Sequence, residues 1–71
     1  MPKANLSTEA GLLHECMRIA TLHRMGGDFE RAVMRFQDYG DTTSEAALKA
    51  LVTIGRDKEA ESLRKKRNKL L

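Results

Sequence analysis

The chain of 71 residues contains no tryptophan, one proline, one cysteine and three aromatic side chains. The lone Cys16 cannot close an internal disulfide, which excludes a disulfide-stapled secreted scaffold. No stretch approaches the roughly 18 consecutive apolar residues of a membrane-spanning helix, and the opening MPKANLSTEA lacks the apolar run of a signal peptide. A cytoplasmic location without a membrane partner is therefore expected. No window alternates apolar and polar residues as a half-buried strand does, and β-branched residues are sparse.

What is present belongs to a folded helical chain. Hydrophobic residues make up 41% and charged residues 32%, a globular balance rather than a disordered one. A chain this short forms one domain, residues 1–71, and buries only about 60% of its unfolded surface. That leaves little room for a deep pocket, and no cofactor is expected. Domains of this size lean on regular helix packing or on self-association.

Residues 1–6 are expected to form a flexible leader. Ser7 or Thr8 caps a first helix with Glu9 in its first turn. Leu12, Cys16, Ile19, Ala20 and His23 form its stripe, with Leu13 and Met17 at the edge. The helix is predicted to run to about Met25 and to stop at Gly26-Gly27. Asp28 then caps a second helix over about 29–39, with Phe29, Ala32, Val33, Phe36 and Tyr39 on one face. All three aromatics lie there, so this helix is expected to anchor the core. Thr42-x-x-Glu45 is a capping box opening a third helix over about 43–54. Its apolar residues cover more than half the circumference, so it is either central or half-buried with a partner surface. Asp57 caps a fourth helix over about 58–70, with a thin apolar stripe of Ala60, Leu63 and Leu70. The expected fold is all-α: a compact bundle of three to four short helices arranged as two antiparallel hairpins.

Charge is unevenly spread. Residues 1–55 carry six Lys/Arg against seven Asp/Glu, and residues 56–71 carry seven against three. The basic excess thus belongs to the C-terminal helix, 56–71.

Gly27-Asp-Phe-Glu-Arg-Ala32 and Gly55-Arg-Asp-Lys-Glu-Ala60 share spacing at an offset of 28 residues, which suggests two related hairpins. Cys16, Ile19, Ala20, His23, Gly27, Phe29, Ala32, Phe36 and Tyr39 follow a pattern of large and small apolar residues, a Gly-x-aromatic turn, a small alanine and an aromatic one turn later. Over about residues 13–40 this resembles a degenerate tetratricopeptide-repeat hairpin. The second hairpin matches only through Leu51, Gly55 and Ala60, lacks aromatics, and falls short of the ~34-residue period of that family. The Gly-x-x-x-x-Ala hairpins also resemble short bacterial proteins of the AraC-negative-regulator type and small type III secretion co-chaperones. These resemblances imply protein binding, not catalysis.

His14, Cys16 and His23 are the metal-ligating types. Cys16 and His23 share a face but stand about 10.5 Å apart at 1.5 Å per residue. One ion binds its ligands at roughly 2.0–2.3 Å and cannot take both. The same separation defeats a Cys/His nucleophile pair. Gly26-Gly27 lacks the spacing and lysine of a phosphate loop. No catalytic, metal or cofactor residue is assigned, and the chain is read as non-enzymatic.

Leu22, Met25, Met34, Leu48 and Val52 fall off the main stripes. They are the expected contacts for a protein partner, a second copy included. On this reading the chain is a small bacterial or phage regulator, adaptor or inhibitor. The alternative is a nucleic-acid-binding transcriptional regulator using Arg64, Lys65, Lys66, Arg67 and Lys69; the same cations also suit an acidic protein surface. Asp57 and Glu59 oppose the DNA reading, because they open the helix at the end that usually enters a groove.

Overall fold

Thr8 opens the first helix: its extended backbone stops the turn, and its hydroxyl accepts from Gly11 N at 3.0 Å. In the computed structural model, which describes residues 5–70, four helices follow. They are α1 (Glu9–Leu22), α2 (Gly26–Asp38), α3 (Thr43–Thr53) and α4 (Asp57–Leu70). Of the expected leader, residues 1–4 lie outside the described residues. Asn5 accepts from Thr8 through its carbonyl, and Leu6 packs on the core.

The boundary between the first two helices differs from the sequence reading. Helix α1 ends at Leu22, and the left-handed residue that stops it is Arg24 (φ 58°). Met25 N donates to Ala20 O at 2.8 Å and Arg24 N to Thr21 O at 2.9 Å, the two bonds of a Schellman cap. Gly26 and Gly27 are therefore the first turn of α2, not the stop of α1. Asp28 lies inside that turn rather than capping it. The same cap recurs at Gly40 and Gly55, with φ of 101° and 85°. There Asp41 N donates to Phe36 O and Arg56 N to Leu51 O.

Equivalent turns thus lie at Arg24 and Gly55, three residues out of the expected repeat register. In that register buried Cys16, Ala20, Phe29 and Ala32 correspond to buried Ala47, Leu51, Ala60 and Leu63.

Helix α3 is the centre. Ala46, Ala47, Leu48, Ala50 and Leu51 are buried, and α3 packs on all three other helices. Its alanines let neighbouring backbones approach from several sides. Leu12, Cys16 and Ala20 of α1, Phe29, Ala32 and Val33 of α2, and Ala60 and Leu63 of α4 close the core with Ile54. The radius of gyration, 11.0 Å, equals the value of about 11 Å for a compact domain of this length. Three residues of the expected core-facing stripes are outside: His23, Tyr39 and Leu70. Tyr39 is 73% exposed and Leu70 58% exposed, because each lies at or beyond the last turn of its helix, where no neighbour covers it.

The capping box forms in half. Thr42 Oγ1 accepts from Glu45 N at 3.2 Å. The Glu45 carboxylate turns instead to α4, where Arg64 Nη1 and Nη2 donate to it at 3.1 and 3.2 Å. This bidentate pair ties the start of α3 to the middle of α4 and holds the Glu45 carboxyl below its ordinary value.

Candidate functional site

The five apolar candidates do not share one face. Leu48 is 1% exposed and belongs to the core, a correction to its reading as a contact residue. It faces inward because α3 is enclosed by neighbours. Met25 is half-buried against the core in the α2–α3 corner, beside Ala32 and Ile54. Leu22, Met34 and Val52 are exposed, but each borders a different groove.

Met34 belongs to the most apolar of these grooves. It lies between α1 and α2, with a volume of about 560 Å3. Ala10, Leu13 and Met17 form one wall; Phe29, Val33 and Met34 form the other. His14 and Glu30 are its polar edge. Leu13 and Met17 were legible only as the edge of the α1 stripe. One helical turn apart, they face the same seam, which is the signal that would have placed them here.

A second groove of about 440 Å3 runs between α1 and α4, lined by Ile19, Leu22 and Leu63 with charged residues around them. The third groove, between α3 and α4, holds Val52 beside Lys49, Glu61 and Arg64. Near it Lys49 Nζ pairs with Asp41 at 2.9 Å and stands 5.7 Å over the Phe36 ring.

The cations of the C-terminal helix are partly committed. Arg64 is held by Glu45, and Lys65 pairs with Glu61 one turn earlier at 3.2 Å. Arg67 is half-buried. Lys66 and Lys69 are exposed and have no ion-pair partner among the described residues.

Cys16 is fully buried, and burial pushes its thiol up to about 12, with the nearby Glu15 adding to the shift. His23 is not a core residue. It sits at the C-cap of α1, with Nε2 3.4 Å from Arg56 Nη1 and 3.9 Å from Glu59 Oε2. Among the described residues no group of three His, Cys, Asp or Glu side chains is placed to hold a metal ion. Nor is any described helix long and apolar enough to cross a membrane. No protein-family model, curated protein or solved structure matches the chain.

Proposed function

We propose that this chain is a small non-enzymatic protein-interaction module that seats an apolar helix of a protein partner in the α1–α2 groove. The observation that supports this reading is the groove itself, open to solvent and walled by Leu13, Met17, Val33 and Met34. Two of its contacts are methionines, whose unbranched side chains repack around different ridges. The resemblance of residues 13–40 to a tetratricopeptide hairpin, a protein-binding element, points the same way. An apolar groove between two helices is a recurrent seat for the apolar face of a partner's helix.

The nucleic-acid reading has less support. Arg64 and Lys65 are already paired within the fold, so fewer of the five cations are free to neutralise phosphates.

Methionine ε-methyl resonances test the proposal, because the methionines divide between groove and corner. A helical peptide with a leucine ridge is titrated into the protein. Met17 and Met34 are expected to shift while Met25 stays in place, and Met34→Asp should abolish the shifts without changing the circular dichroism. No shift at any peptide concentration, or a shift at Met25 equal to that at Met34, overturns the proposal.

A further inference from the structure

The groove between α1 and α4 has a different chemistry from the α1–α2 groove. Its floor is apolar: Leu63 is buried, Ile19 half-buried, and Leu22 stands 68% exposed at the mouth. Its two carboxylates are already neutralised from within. Glu15 takes the Arg18 guanidinium, which holds its carboxyl below the ordinary value. Glu59 faces Arg56 at 3.6 Å and His23 at 3.9 Å. Lys58 and Lys66 line the same groove, and neither has an ion-pair partner among the described residues. Lys66 acts on Glu15 from beyond ion-pair distance and helps to lower its carboxyl, so the groove offers an apolar seat beside two ammonium groups that no close ion pair occupies.

We infer that the α1–α4 groove is a second docking surface and that its occupant is an acidic amphipathic helix of a protein partner. Lys58 and Lys66 are eight residues apart on one helix, about 12 Å at 1.5 Å per residue. Carboxylates seven residues apart on a facing helix stand about 10.5 Å apart, within reach of two flexible lysines. An apolar ridge between those carboxylates meets Leu22. Charge complementarity of this kind fixes register and speeds encounter. A nucleic acid suits the groove less well, because a duplex presents a line of phosphates and no apolar ridge to meet Ile19 and Leu22. This surface is independent of the α1–α2 groove, and either could fail without the other.

The test uses three fluorescein-labelled probes in anisotropy titrations, run on Met34→Asp protein so that the α1–α2 groove does not take their leucine ridge. One is a 15-residue helical peptide with glutamates seven residues apart flanking a leucine ridge. The second carries lysine in place of those glutamates, and the third is a 20-base-pair DNA duplex. The acidic peptide is expected to bind, and the lysine peptide to bind about tenfold more weakly. Lys58→Glu/Lys66→Glu and, separately, Leu22→Asp should each weaken the acidic peptide about tenfold, with circular dichroism unchanged. Equal binding of both peptides, insensitivity to Leu22→Asp, or tighter binding of the duplex through the same lysines would each overturn the inference. None of those results bears on the methionine shifts that test the α1–α2 groove.

Discussion

Gly11→Ala carries a prediction whose sign runs against the usual rule. In a helix interior this exchange normally stabilises by about 1 kcal/mol, because glycine gives up more backbone freedom on folding. Here a Cβ on Gly11 would lie 1.9 Å from the Asn5 carbonyl oxygen and 2.7 Å from its carbon. Both are backbone atoms, so no side-chain rotation relieves the clash, and the turn over residues 5–8 must swing away. That turn holds the hydrogen bonds from Thr8 N at 3.1 Å and Thr8 Oγ1 at 2.9 Å to Asn5 O, and it seats Leu6 on the core. The new methyl would also lie 2.8 Å from Thr8 Oγ1, the capping acceptor of α1. Losing these exposed bonds, part of the cap and the Leu6 contact costs about 2–3 kcal/mol together. After the propensity gain, a net loss of about 1–2 kcal/mol remains. For a domain of this size each kcal/mol lowers Tm by about 4–8 °C. Thermal and urea unfolding followed at 222 nm measure it. A chain shortened to begin at Ser7 removes the backbone obstacle and leaves only the Thr8 contact, so there the loss should shrink to about 0.5 kcal/mol or less. A Gly11→Ala protein as stable as the parent, in the full-length chain, refutes the argument.

Three further predictions rest on single positions. Leu48→Ala should cost about 2–5 kcal/mol by opening a cavity against the central helix, a large share of the roughly 4–11 kcal/mol available to a chain of this length. Met34→Ala should stay within about 0.5 kcal/mol, and urea midpoints that fail to separate the two would place Leu48 outside the core. Arg24→Gly should raise stability by about 1 kcal/mol, since it relieves a left-handed conformation in a residue with a Cβ; a lower Tm would contradict the Schellman geometry. Because Arg64 holds the Glu45 carboxyl below its ordinary value, that pair contributes above the unfolded carboxyl's pKa and is lost as pH falls through the lower folded value. Both partners are partly exposed, so the contribution is at most about 1 kcal/mol, and Glu45→Gln should flatten the fall in stability between about pH 5 and pH 3. An unchanged acid limb would dissociate Glu45 from that fall.

Local signals in the chain were legible where one residue and its immediate neighbours decide the outcome. Thr42 as a cap is such a case. The α1–α2 turn was misread because two glycines stood close to a left-handed position that an arginine occupies. Tertiary context decided the rest. The apolar residues of α3 cover more than half its circumference, but that did not say that neighbours would enclose Leu48 while leaving Val52 49% exposed. Glu45 read locally as the second half of a capping box, yet its carboxylate is taken by a residue 19 positions later. Of the five apolar contact candidates, Met34 alone enters the α1–α2 groove, and Leu22 alone enters the α1–α4 groove. A helical wheel gives each residue an angle, but only packing tells which seams stay open.

Both open seams run along α1, and α3 explains why. The buried alanines of α3 draw the other helices onto one short axis of 11 residues. With its core stripe of Leu12, Cys16 and Ala20 committed to that axis, α1 has a flank on either side. Toward α2 the flank carries Leu13 and Met17; toward α4 it carries Ile19 and Leu22. The facing helices then set the chemistry. Helix α2 contributes Val33 and Met34, which makes one seam mostly apolar, whereas α4 contributes Lys58 and Lys66, which makes the other cationic at its rim. A change in α3 that alters the seating of α1 must therefore disturb both grooves together. Surface changes on α2 or α4 alter one groove while leaving its counterpart intact, which is the physical basis for testing the two surfaces separately.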